Sequence, residues 1–566
     1  MKRIGLFLFT ITTILASCKP EAKKDPADIV FTNGKVYTVN EAQQWAEAVA
    51  IKDGRIVFVG STEDAQSYVG EGTETVDIMG KMMMPGIHDT HIHTSLVYSY
   101  QEAGELLFSE SLSKEEIAVV LKKYLEDNPD IVVMRGQKWS STLFPGGKAT
   151  KEWLDAIESE RPVYLIDDTG HNAVVNSKAL EMAGITKATP DPEFGVIDRD
   201  PKTGEPTGYL SETAMGLVAK HVVRPSEEAF YNGISKALDE VRAYGTTSIT
   251  EMLVGENALK AYKRLDEEGK LNVRVRAAIA FNDYAVDQLT NEEAYDLLER
   301  TDEFTSTHLN SKNLKYWADG SPVSGTSILV EPYLADSTNY GKMTIGQKQF
   351  DHIIEAHKNG VQIHAHSIGD GTTRIMLDLI EKARKEAPQE NLRHHLGHMM
   401  LVHPDDIPRF KELDVVAEFS PMLWYPNGLT EIATEIVGED RMARWQPIKE
   451  FVDTGVTVSF GSDWPAGTPD ADPWRGIQAM LTRMDPTGAT PGKIGEGITL
   501  EQALEIVTVG GAKLMMQEDE VGTIEKGKFA DMIILDQNLF EINPDKIADT
   551  KVLKTIFEGK VVYEKK

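Results

Sequence analysis

The most constraining feature of this chain is a local design that recurs along it. A run of apolar, often β-branched residues ends in histidine or aspartate, and a turn or helical stretch follows. "MPGIHDTHIH" does this at 84–93, "GVQIHAHSIGD" at 360–370, "LRHHLGHMM" at 392–400 and "VTVSFGSDWP" at 456–465. Apolar strands alternating with helical stretches are the pattern of βα units around a parallel sheet. Strands are read at 83–91, 245–251, 272–279, 313–319, 360–366, 393–398, 414–420 and 456–463, each after the first preceded by a helical stretch. Units in this number predict an α/β chain built on a (β/α)8 TIM barrel, whose working face lies at the C-terminal ends of the strands.

Two regions fall outside that pattern. Residues 97–235 are too many for a single crossover and hold strands of their own, "IVVMRG" and "RPVYLIDDTGH". An insertion after the first barrel strand, over the barrel mouth, is expected there. At the N-terminal end, "DIVFTNGKVYTVN" and "AVAIKDGRIVFVG" read as β-hairpins turning at Asn-Gly and Asp-Gly. "GTIEKGKFADMIILD" and "VLKTIFEGKVVYE" near the C-terminus have the same character. One small β-sandwich domain assembled from both chain ends accounts for them. The expected divisions are a leader at 1–17, a tether at 18–27, β-sandwich at 28–82, barrel at 83–518 with its insertion, and β-sandwich again at 519–566.

Charge and cysteine content narrow the partners. Asp plus Glu number 89 against 59 Lys plus Arg, a net charge of −30. Phosphate backbones need Lys/Arg surfaces, so nucleic acid is excluded as a partner, as is docking of a basic patch on anionic lipid. Cys18 is the only cysteine, so the chain forms no internal disulfide framework. Lys2 and Arg3 precede the apolar run "IGLFLFTITTILA", which is too short to span a membrane and suits a secretory leader. The run ends in "LASC", which resembles the lipobox of bacterial lipoproteins, cleaved before Cys18 and lipidated on its thiol. That resemblance implies a lipid anchor in the bacterial cell envelope, outside the cytoplasm. "KPEAKKDPAD" then reads as a polar tether.

The strand ends carry the chemistry. His91 and His93 are two apart, so they project from one face of a strand, as do His364 and His366. His398 and Asp463 end two further strands, and "NLKYWADG" places Lys315 in a strand with Asp319 after it. A divalent metal explains such a set, since neutral imidazole and carboxylate are good zinc ligands. A lysine in that ring is repelled by a cation unless carbon dioxide converts it to a carbamate that bridges two metals.

The chain resembles the amidohydrolase superfamily, and within it the YtcJ-like branch that includes N-substituted formamide deformylases. The resemblance runs from about residue 28 to the C-terminus, through "PGIHDTHIH", "GHNAVVNSKALEMAGI", "TGYLSE", "YWADG", "HAHSIGD", "GHMMLVHPDDIPRF" and "GSDWP". It implies a metal-bearing barrel with a β-sandwich. It makes His91 and His93 ligands of the more buried metal, Lys315 the carboxylated bridge, His366 and His398 ligands of a second metal, and Asp463 both ligand and proton shuttle. His364, His88 and His395 receive no metal role. Two departures stand out: Gly397-His398-Met399 where relatives often carry Glu-His-Ala, and His88 where an apolar residue is usual.

The expected reaction is hydrolysis of a carbon–nitrogen bond in a non-peptide amide, formamide or cyclic amide, through one or two metal ions, zinc by ligand type. The expected substrate contacts come from His171, Trp139 and Trp464. An esterase or deaminase of the same superfamily, or a lipid-anchored binding protein without catalysis, are the competing readings. The sequence leaves the oligomeric state open.

Overall fold

The computed structural model describes residues 24–566 apart from 110–111, 169, 223, 282–288, 335, 390 and 424. The leader and Cys18 lie outside the described residues. No helix among the described residues is long and apolar enough to cross a membrane.

Eight parallel strands form the central sheet, paired in chain order. They are β1 (Ile87–Ile92), β2 (Thr246–Val254), β3 (Arg274–Phe281), β4 (Leu309–Trp317), β5 (Gln362–Ser367), β6 (His395–His398), β7 (Val416–Phe419) and β8 (Val458–Phe460). Each expected strand is present, but the first begins only at Ile87: Met82–Pro85, expected to open it at 83, pairs in the β-sandwich instead. Backbone bonds close the seam between first and last: Asp463 N–H donates to His91 O and His93 N–H to Trp464 O, both at 2.8 Å. The TIM barrel is therefore shut by the backbone of Asp463 and Trp464 against that of His91 and His93.

The helix Glu227–Ala243 feeds β2. Ser226 caps it, accepting from Ala229 N–H, and Glu227 and Glu228 lie in its first turn, where the helix dipole favours negative charge. Its Phe230, Ile234, Leu238 and Val241 belong to the barrel core. The insertion therefore ends before this helix, and the expected boundary near 235 falls inside a barrel element.

The insertion forms its own six-stranded sheet from Leu106–Leu107, Met134–Trp139, Val163–Asp167, Asn172–Val175, Gly195–Arg199 and Pro206–Glu212. Separate apolar clusters cover it, one around Leu121 and Trp139, another around Leu180 and Leu210.

The β-sandwich draws on both ends of the chain. One sheet is N-terminal, with Ile29–Thr32, Ala48–Lys52, Arg55–Gly60 and Glu74–Asp77. In the other, Met82–Pro85 pairs antiparallel with Met532–Leu535 from the far end. The two glycine turns differ. Asp53-Gly54 makes the expected two-residue hairpin, with φ of 51° and 76°. Asn33-Gly34 does not: Ile29–Thr32 and Lys35–Tyr37 lie in different sheets. Only Asn33 has a positive φ, 55°, and a Cβ on Gly34 would lie 2.4 Å from Ile78 Cδ1. The primed turn of a tight hairpin needs positive φ at both central residues, so this glycine serves a close approach between sheets instead.

Candidate metal centre

Strand alternation decides which side chains meet inside the barrel. His91 and His93 end β1, Lys315 lies in β4, His364 and His366 in β5, His398 ends β6 and Asp463 follows β8. Register pairs Lys315 with His364 and Ser367 with His398. Asp463 Oδ1 lies 3.2 Å from His93 Nε2 and 3.4 Å from His91 Nε2, and Asp463 Oδ2 lies 3.9 Å from His398 Nδ1. Lys315 Nζ sits 3.3 Å from His91 Nε2 and 2.9 Å from His364 Nε2. The His366 and His398 rings are 4.7 Å apart. Potential ligand atoms of His91, His398 and Asp463 all fall within 4.8 Å of one another, as do those of His91, His364 and Glu418. Both His398 (φ 73°) and Asp463 (φ 60°) adopt left-handed backbone conformations, a strain that clusters at working sites.

The protonation states favour lone pairs. Burial, then the Lys315 charge, drives the imidazoles of His91 and His366 well below their ordinary pKa. Burial does the same to His398, against the pull of Asp463. For Asp463 itself burial favours the neutral acid, but His398, His93 and Lys315 outweigh it and hold the carboxyl below its usual range. Burial brings the Lys315 amine down to about 7, with Asp463 and Glu418 opposing.

A second layer sets the tautomers. His91 Nδ1 meets Glu418 Oε2 at 2.7 Å, His93 Nδ1 meets Met252 O at 3.1 Å, and His366 Nδ1 meets Asp319 Oδ1 at 3.0 Å. His398 Nδ1 meets Ser420 Oγ at 3.0 Å, and that hydroxyl donates to Glu418 Oε1 at 3.3 Å. A proton on each Nδ1 leaves Nε2 as the free lone pair, the usual arrangement behind metal-bound histidines. Asp319 is fixed in turn by Ile368 N–H, Gly369 N–H and Thr372 Oγ1.

Glu418 was not among the residues singled out from the sequence. Its signal was there: a carboxylate inside the apolar run "VVAEFS". It also bears on the departure at Gly397. A Cβ there would lie 2.6 Å from His364 Cε1 and 2.7 Å from Glu418 Oε2, so no side chain fits. A carboxylate reaches the histidine cluster from β7 instead.

The remaining predicted residues separate. His171 projects from the insertion over the barrel rim, its ring 5.8 Å from His366 and 5.1 Å from Trp317, with Nδ1 3.2 Å from both Glu212 oxygens. Burial disfavours its charge, but Glu212, Asp167 and Asp319 raise its pKa above the ordinary value. Trp139 does not face the mouth. It is wholly buried in the insertion core, donates Nε1–H to Leu165 O at 3.2 Å, and packs on Phe144 and Trp153. Trp464 is buried in the barrel core against Tyr98 and holds the seam through its carbonyl. Both indoles are packing groups, because a large apolar ring gains more from full burial than from lining an open cleft. His88 points away from the centre, its Cβ against Gly511. His395 lies beneath, its Nδ1 2.9 Å from His364 Nδ1.

The profile of the amidohydrolase family matches residues 74–563. The chain belongs to that family. It is 28% identical to YtcJ of Bacillus subtilis, over 95% of this chain and 99% of that one. It is 25% identical to N-substituted formamide deformylase of Arthrobacter pascens, over 95% and 98%. Among solved structures it is similar to a metal-dependent hydrolase of Pyrococcus horikoshii, with a TM-score of 0.70, 25% identity and coverage of 91% of this chain and 99% of that one. This amidohydrolase thus shares its fold with a metal-dependent hydrolase over most of its length.

Proposed function

We propose that the chain hydrolyses a carbon–nitrogen bond of a non-peptide amide, formamide or cyclic amide. The observation that carries this reading is Asp463, whose Oδ1 lies within 3.4 Å of the Nε2 atoms of both His91 and His93 at the barrel rim. Buried neutral imidazoles with a carboxylate fit a divalent cation, and zinc best by ligand type. His91, His93 and Asp463 would hold the more buried ion, His366 and His398 would hold a second, and a carbamate on Lys315 would serve both. When bound, such an ion supplies Lewis acidity, which polarises a carbonyl and brings the pKa of a water towards about 7.

The protein's own groups do the rest. Asp463 accepts a proton from the attacking water as its oxygen adds to the carbonyl carbon. It then gives that proton to the leaving nitrogen, so the amine departs neutral and the carboxylate is regenerated. His171 Nε2, over the rim, reaches the carbonyl oxygen. Lys315, with its pKa near 7, offers the neutral amine that adds to carbon dioxide, releasing a proton and leaving a carbamate. The deformylase relative supports formamides as the first substrates to try. The leader reading adds a place: lipidation at Cys18 would anchor the enzyme in the bacterial cell envelope outside the cytoplasm, on the periplasmic side or at the cell surface.

Two measurements test the proposal. Elemental mass spectrometry on protein lacking residues 1–18, purified without chelator, should find about two metals per chain. A ratio of one removes the Lys315 bridge, and a ratio of zero that zinc cannot restore removes the mechanism. A panel of N-alkylformamides, cyclic amides, esters and aminopurines, read by product release, should show turnover on the amides. Turnover confined to esters or aminopurines would replace the amide reading.

A further inference from the structure

Glu212 is the last residue of the insertion strand Pro206–Glu212, and its backbone is held at φ 53°, ψ −132°. That is the mirror image of ordinary extended backbone, a region that glycine reaches freely and other residues reach only under strain. The side chain explains why a glutamate stands there. Its two oxygens each lie 3.2 Å from His171 Nδ1, and its backbone N–H donates to His171 O at 3.0 Å. The carboxylate is buried where insertion meets barrel, and Gly320, just after Asp319, gives it room: a Cβ on Gly320 would lie 2.8 Å from Glu212 Oε1. Strain of this kind persists only where surrounding contacts over-determine it.

We propose that Glu212 is a positioning residue: it accepts the Nδ1 proton of His171 and so turns the opposite ring nitrogen, Nε2, towards a carbonyl substrate above His366. The inference rests on the amide-hydrolase reading for the substrate, not for the His171 tautomer. It gives the insertion a share in the active site, with a histidine held just before one antiparallel strand and aimed by a glutamate at the end of its neighbour.

Glu212→Gly is the decisive variant, because glycine adopts this backbone without strain and removes only the carboxylate. In the full chain labelled with ¹⁵N-histidine, NMR reads which His171 nitrogen carries the proton, with His171→Asn identifying the resonances. The proton should sit on Nδ1 in wild type and in Glu212→Gln, whose carbonyl also accepts it, and should leave Nδ1 in Glu212→Gly. The melting temperature of Glu212→Gly should equal or exceed that of wild type. With N-butylformamide as the probe, Glu212→Gly and His171→Asn should each lower kcat about tenfold or more, with KM within about threefold. The double variant should be no worse than His171→Asn alone. Unchanged His171 protonation in Glu212→Gly, or losses that multiply in the double variant, would overturn the proposal. A lower melting temperature with unchanged protonation would do so in favour of a purely structural role. If wild type turns over no formamide, the amide reading falls, while the NMR result still decides Glu212.

Discussion

The rim of the barrel and the layer beneath it hold the same residue type in two settings. At the rim, His91, His93, His366 and His398 each rest Nδ1 on a neighbour from another element, and the Nε2 atoms of His91 and His93 face Asp463. One step down, His364 and His395 face each other through Nδ1, and His364 Nε2 spends itself on Lys315. His88 has no hydrogen-bond partner on either ring nitrogen among the described residues. All are buried, and burial lowers the pKa of His88, to about 3, as it does that of His91. Burial and a depressed pKa therefore do not mark a ligand. The partner on the far side of the ring does, because it settles which nitrogen keeps its lone pair.

The largest effect is expected at Asp463. Asp463→Asn keeps shape and hydrogen bonds but cannot accept a proton, so kcat on an amide substrate should fall by roughly 10²–10⁴, with the circular dichroism spectrum unchanged. An active Asp463→Asn enzyme would remove the shuttle. Next comes Glu418→Gln, which weakens the anchor of His91. Zinc affinity, titrated against a chelator, should drop by about 10- to 100-fold. An unchanged affinity would show that the second layer does not discriminate rim from interior.

A third histidine setting responds to pH in the opposite direction, because its pKa is raised rather than lowered. His308, just before the start of β4, meets Asp266 Oδ1 at 2.6 Å and Glu558 Oε1 at 3.2 Å. Burial opposes its charge, but the two carboxylates win and raise its pKa to about 9. A pKa raised on folding stabilises fully below the unfolded value of about 6.5 and loses that contribution as pH climbs through 9. Wild type should therefore lose about 3 kcal/mol between pH 6.5 and 9.5 that His308→Gln does not lose. Equal pH slopes in denaturant melts would contradict the ion pair. The smallest effect is expected at His88→Leu. Replacing a buried ring with unpaired nitrogens by a hydrocarbon of similar size should leave stability unchanged or raise it by up to about 1 kcal/mol. A clear loss would mean that the ring has a partner in solution.

Much of this was legible in the chain, for a definable reason. Strand periodicity put His91 with His93 and His364 with His366, and the alternation of strands and helices put all these ends on one rim. The same local logic misled at Trp139 and Trp464, since a tryptophan near a strand end looks alike whether it lines a cleft or fills a core. It misled again at Asn33-Gly34, where the dipeptide fits a hairpin but the chain moves from one sheet to the other.

The sequence alone determined the order of βα units, the sharing of the β-sandwich between both chain ends, and the residue types at the strand ends, because each follows from short-range pattern. Tertiary structure decided which imidazole nitrogens point inward. It also decided that Glu418 and Asp319 steady His91 and His366, that Gly397 leaves space for Glu418, and that Glu212 meets His171. These depend on the register between strands and on how the insertion docks on the barrel. Such pairings join residues far apart in the chain, and no local period encodes them.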